Sequence, residues 1–106
     1  RVASGGLDNS CSIYNLPVTK DASIPVQREL AAHSDYIACC RFLSESHIVT
    51  ASGDASCMLW DVESGVVLNQ FQGHSGHVTS LATFTDQTNL FVSGSCDATA
   101  KLWDTR

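Results

Sequence analysis

Apolar and polar residues alternate along this chain in short bursts, not at helical spacing. Tyr36–Leu43, His47–Ala51, Cys57–Val62 and Val66–Phe71 are runs of β-branched, aromatic and small apolar residues, separated by the turn-formers Ser44–Ser46, Ser52–Asp54 and Glu63–Gly65. They predict four strands in succession. His77–Phe84, Leu90–Ser93 and Ala100–Asp104 restart the same order and predict three more. Several runs are apolar at successive positions, as in Ile48-Val49 and Leu90-Phe91-Val92, which is expected of sheets covered on both faces. Pro17–Pro25, with Asp21, Ser23 and two prolines, breaks the rhythm and reads as a surface loop between the last two strands of an earlier unit.

The polar residues between these runs repeat as well. One phrase occurs three times: SGGLDNSCSIYN from Ser4, TASGDASCMLWD from Thr50 and SGSCDATAKLWD from Ser93. Aligned on Asp8, Asp54 and Asp97, each copy has a hydroxyl residue before the aspartate (Ser4, Thr50, Ser93) and an aromatic after it (Tyr14, Trp60, Trp103). The aromatics lie 46 and 43 residues apart, and the second and third copies are preceded by His33 and His74, 41 apart. A period in this range, with strands inside it, predicts a repeat architecture in which every unit is one small four-stranded sheet.

Composition narrows the function without changing that picture. Six basic against eleven acidic residues give a net charge of −5, and no cluster of Lys and Arg exists to follow a phosphate backbone, so nucleic acid is excluded as a partner. No apolar run is long enough to span a bilayer. The five cysteines form no CxxC pair with metal-ligand spacing; they read as reduced thiols of a cytoplasmic protein, with no metal and no cofactor implied. Cys39-Cys40 invites a redox role, but strand alternation points the two to opposite faces and favours packing. Gly5-Gly6 lacks the spacing of a phosphate-binding loop. The chain opens on Arg1, not Met, and stops just after a strand-like run, so a longer protein is expected.

Ser93 or Cys96, with His74 and Asp97, has the residue types of a nucleophile, a base and an orienting acid. Repetition argues against catalysis, because Thr50, His33 and Asp54 carry the same spacing and an active site is not built once per structural unit. A structural account uses every member. The aspartate sits in a tight turn between the second and third strands and accepts from the histidine. The histidine meets the strand hydroxyl, and the hydroxyl accepts from the Trp N–H. Ser4, Asp8 and Tyr14 are the corresponding residues of the first copy, and no residue is assigned a catalytic role.

The period, Gly73-His74 and the Trp60-Asp61 and Trp103-Asp104 endings resemble the WD-repeat β-propeller. Departures are Ala32-His33 for Gly-His and Tyr14-Asn15 for Trp-Asp. The implied fold class is all-β, an incomplete ring of four-stranded antiparallel blades. In it, residues 1–32 supply strands two to four of one blade, 33–75 a complete repeat and 76–106 strands one to three of the next. The strings GGLDNSCSIYNL, HSDYIACCRFL and LFVSGSCDATAKLWD further resemble heterotrimeric G protein beta subunits.

That resemblance implies a non-catalytic signal transducer at the cytoplasmic face of the plasma membrane, held there through lipidated partners. Its partners would be an alpha subunit in the GDP state, a gamma subunit and effectors. The alpha-contacting positions it implies are Leu7, Asn9, Tyr36 and Cys96, together with His77 and Thr79, where the family usually carries Asp and Met. A WD-repeat scaffold or adaptor outside G protein signalling stays open as the alternative.

Overall fold

The turn residues cut the chain into strands of four to six residues, and within each sheet every strand pairs with its neighbour in sequence. The structure, a computed structural model, describes residues 1–16 and 23–106. Most of the predicted loop Pro17–Pro25 lies outside the described residues. Among the described residues, ten strands form three antiparallel sheets and there is no helix.

The first sheet holds β1 (Val2–Gly5), β2 (Ser10–Tyr14) and β3 (Arg28–Ala31), in that order. The second holds β4 (Ile37–Phe42), β5 (His47–Ser52), β6 (Ser56–Asp61) and β7 (Val67–Gln72). The third holds β8 (Val78–Thr83), β9 (Leu90–Ser95) and β10 (Ala100–Asp104). Strand ends differ from the expected ones by a residue or two. The largest difference is in β9, expected over Leu90–Ser93, which runs through Gly94 to Ser95. Gly94 pairs with Ala100 on one side and Ser80 on the other, and a Cβ there would sit 2.7 Å from the Ser80 hydroxyl. The glycine serves a close approach inside the ladder.

The sheets stack face to face, and the middle one is buried on both sides. Ile48, Met58 and Trp60 join Cys11, Ile13 and Leu30 in a cluster between the first and second sheets. Val49, Ala51, Cys57, Leu59 and Phe71 join Val78, Leu81 and Phe91 in a cluster between the second and third. Successive residues of β5 thus face opposite cores, which explains the unbroken apolar run at Ile48-Val49. Phe71 meets Phe91 edge to face, 5.0 Å between ring centroids, an arrangement that adds about 0.5–1.5 kcal/mol to area burial. Leu102, on the far face of the third sheet, is 63% exposed.

β4 and β8 share an irregularity. The ladder register shifts between Ile37 and Cys39 in one and between Val78 and Ser80 in the other, leaving Ala38 and Thr79 as the bulged residues. A bulge at the same place in two successive units re-aims the side chains that lead into each sheet.

Candidate interaction site

Each connection between the second and third strands of a four-strand pattern is a tight turn: Gly6–Asn9, Gly53–Ala55 and Cys96–Thr99. Asn9, Ala55 and Ala98, each one residue past the repeated aspartate, take left-handed backbone angles with φ of 67°, 71° and 68°. Asn tolerates this region, whereas Ala carries a steric cost there. The aspartate relieves part of it by accepting the backbone N–H two residues on, at Ser10, Ser56 and Thr99.

In the second and third sheets this turn anchors a chain of polar groups. His33 Nδ1 lies 2.8 Å from Asp54 Oδ2 and His33 Nε2 lies 2.7 Å from Thr50 Oγ1, while Trp60 Nε1 donates to Thr50 Oγ1 at 2.9 Å. The third sheet repeats it: His74 Nδ1 to Asp97 at 2.9 Å, His74 Nε2 to Ser93 Oγ at 2.7 Å, and Trp103 Nε1 to Ser93 Oγ at 2.8 Å. The partners assign the protons. Indole only donates and carboxylate only accepts, so Nδ1–H donates to the aspartate and the hydroxyl donates to Nε2. Both imidazole nitrogens, the hydroxyl proton and the indole N–H are engaged within the chain, and no imidazole lone pair or hydroxyl proton is left over for chemistry on a substrate.

Both aspartates stand at the rim of their chains, half-buried, while Thr50 and Ser93 are fully buried. Burial pushes the Asp54 carboxyl up, but the Ser56 hydroxyl, His33 and the Ser34 N–H together hold it below the ordinary value. The Thr99 hydroxyl, more than anything else, holds Asp97 well below that range; partial desolvation opposes it, and the Ser75 N–H and His74 reinforce it. Ser56 and Thr99 were missed from the sequence, and their signal is Asp-Ala-Ser and Asp-Ala-Thr at the same place in two copies. Ser52 and Ser95 are a second such pair, donating to the Asp35 and Gly76 carbonyls at 3.1 Å each.

The first copy differs. Asp8 is exposed and takes only the Ser10 N–H, at 3.2 Å, and Ser4 is exposed; Tyr14 makes no side-chain hydrogen bond to either among the described residues. By the spacing of the other two copies, the position equivalent to His33 and His74 falls upstream of Arg1.

The six candidate contact residues fall along one end of the three sheets. Leu7, 89% exposed, and Asn9 stand in the first turn, and the Gly6 carbonyl beside them accepts the Ile37 N–H at 3.0 Å. That bond brings the turn next to Tyr36. The Tyr36 hydroxyl and His77 Nδ1 lie 2.9 Å apart with the rings in an edge contact at 5.5 Å, linking the second sheet's end to the third's. The His77 carbonyl accepts the Cys96 N–H at 2.9 Å, as the Tyr36 carbonyl accepts that of Gly53. Thr79, at the bulge, is exposed two residues further on. A Cβ on Gly53 would collide with the Tyr36 ring, so the glycine lets that ring lie against the second turn.

Residues 25–61 and 65–104 match the model of the WD domain, G-beta repeat. The chain belongs to the WD40 repeat family. Its two matched WD40 units carry the two complete polar chains, and the sheets are part of a β-propeller. The chain is 45% identical, over 99% of its own length, to guanine nucleotide-binding protein subunit beta-2 of Nicotiana tabacum, and equally so to subunit beta of Arabidopsis thaliana and of Solanum tuberosum. It spans 30% of the length of these curated relatives. Among the described residues no helix is long and apolar enough to cross a membrane.

Proposed function

We propose that this WD40 chain is a segment of a heterotrimeric G protein beta subunit. In this assignment residues 1–32, 33–75 and 76–106 contribute to three consecutive blades. The protein acts without catalysis: it holds the GDP-bound alpha subunit, a gamma subunit and, in alternation with alpha, effectors, at the cytoplasmic face of the plasma membrane. The observation that carries the proposal is the continuous edge from Leu7 through Tyr36 and His77 to Cys96, with an exposed leucine and a half-buried tyrosine at its start. An aromatic anchor beside apolar surface is the composition of binding hot spots.

His77 and Thr79 set the affinity or partner choice of that edge. The test is capture of the full-length protein by an alpha subunit loaded with GDP or with a non-hydrolysable GTP analogue. Capture in the GDP state, weakened tenfold or more by Tyr36→Ala and changed by His77→Asp with Thr79→Met, is expected. Glu63→Gln, at the opposite end of the sheets, leaves it unchanged. Absence of capture in every form refutes the assignment and leaves a WD40 adaptor.

A further inference from the structure

Tyr36 and His77 stand at equal places in two successive units, three residues after His33 and His74. The Tyr36 backbone is held on both sides: its N–H goes to Asp35 Oδ1 at 2.8 Å, and its carbonyl takes the Gly53 N–H at 3.0 Å. Its phenol oxygen meets His77 Nδ1 at 2.9 Å. A phenol donates more readily than it accepts, so the neutral imidazole carries its proton on Nε2, and Nδ1 accepts the Tyr36 O–H. A protonated imidazole has no lone pair to offer. Its Nδ1–H must donate, the phenol oxygen turns from donor to acceptor, and the hydroxyl hydrogen points away from the histidine.

We propose that His77 is a proton-operated latch on Tyr36, which weakens capture of the alpha subunit as pH falls from about 7.5 to 6. The latch rests on the reading of this edge as the alpha-binding surface. Histidine is the side chain whose ordinary form changes charge between about pH 5 and 8. His77 is exposed, whereas His33 and His74 are buried with both ring nitrogens engaged. His77 is therefore the histidine of this edge whose charge a partner would meet.

The charged neighbours give the direction of the effect. In the second sheet, Asp35 adjoins Tyr36, and Asp54 occupies the next turn, bonded to His33. In the third, Cys96 donates its N–H to the His77 carbonyl, and Asp97 follows it, bonded to His74. In the first, Asp8 stands exposed beside Leu7. Among the described residues the turns at this end hold no Lys or Arg; Lys101 lies alongside Gly73 on the outer strand of the third sheet. Carboxylates set the charge of the edge, and a partner that complements it presents cations. A positive His77 opposes that match. It also reverses the bond that fixes the tyrosine hydroxyl, so the same proton changes both the charge and the hydrogen-bonding sense of the edge.

The test takes the full-length protein. With histidine labelled with nitrogen-15, the ring nitrogen shifts of His77 above pH 8 read its tautomer. A proton on Nε2 is expected, and Tyr36→Phe must disturb those shifts. Capture by the GDP-loaded alpha subunit is then measured at pH 7.5 and at pH 6.0, for wild type and for His77→Asn, whose amide oxygen can take the place of Nδ1 and does not titrate. The ratio of capture at pH 7.5 to capture at pH 6.0 should be about two- to fivefold larger in wild type than in His77→Asn, the range of one exposed charge pair. Titration of the alpha subunit, His33 or His74 enters both ratios alike. Equal or inverted ratios, or a neutral ring with its proton on Nδ1, overturn the latch and leave the beta-subunit assignment standing. Absence of capture in both forms at both pH values refutes that assignment, and the latch with it.

Discussion

Thr50→Val tests the polar chains directly, because valine keeps the shape and removes only the hydroxyl. Thr50 is fully buried and is the sole link between His33 Nε2 and Trp60 Nε1. Both partners are themselves nearly inaccessible, with Trp60 2% and His33 6% exposed. The substitution therefore leaves one donor and one acceptor buried without partners, and each such group costs about 1–3 kcal/mol. A loss of about 2–6 kcal/mol follows, a large share of the 5–15 kcal/mol or so that holds a domain together. With a urea slope of about 3 kcal/mol per molar, the unfolding midpoint of the full-length protein falls by about 1 M.

Thr50→Ser keeps the hydroxyl and should lose under half as much, chiefly the buried methyl group. Trp60→Phe removes the indole donor. In a Thr50→Val background it should cost less than in the wild type, because the hydrogen bond is already gone. A Thr50→Val midpoint within 0.2 M or so of wild type would refute the proposition that these chains stabilise the fold. So would a Trp60→Phe loss of equal size in both backgrounds.

Other outcomes follow from the same geometry. Ala98→Gly, and to a lesser degree Ala98→Asn, should raise the thermal midpoint, since the left-handed angle that costs alanine about 1–2 kcal/mol costs glycine nothing; thermal unfolding of the full-length protein reads it. Phe71→Ala removes the ring between Phe91 and Trp103 and should lower stability by about 3–5 kcal/mol in urea titration. Asp97 is held below its ordinary value of 3.8, so the unfolded state binds the proton first as pH falls. The contribution of Asp97 is therefore complete above that value and is lost as pH drops below it. Asp97→Asn should flatten the acid limb of a stability profile between pH 5 and pH 2 or so while lowering the plateau above it.

The strands and both complete polar chains were legible because they rest on local spacing: Asp54 and Asp97 announce the turn, and the aromatic and hydroxyl fall at fixed offsets within one hairpin. The end of β9 was not, because a glycine such as Gly94 suits a turn and a close approach equally well, and only the neighbouring strand decides between them. The clasp at the opposite end was invisible. Arg1 and Arg28 of the first sheet both reach Glu63 in the last turn of the second, and Arg1 also donates to the Glu45 carbonyl at 3.0 Å. These residues are 35 to 62 positions apart in sequence, with no repeat counterpart to flag them. The candidate edge was half legible. Tyr36 and His77 occupy equal places in two copies, but that one caps the other depends on how neighbouring sheets splay.

The family match begins in the first sheet and ends one strand short of completing the second: residues 25–61 contain β3 and then β4 to β6, and 65–104 contain β7 and then β8 to β10. The unit of sequence is thus out of step with the unit of structure by one strand, like courses of brick laid with staggered joints. Removing 25–61 would take the outer strand from one sheet and three strands from the next, yet it would deliver β7 to the place beside β2 that β3 had held. A gene that gains or loses a whole unit leaves no sheet with a missing plank, wherever the cut falls in register. The number of units is set by what closes the circle, not by what any single joint will tolerate.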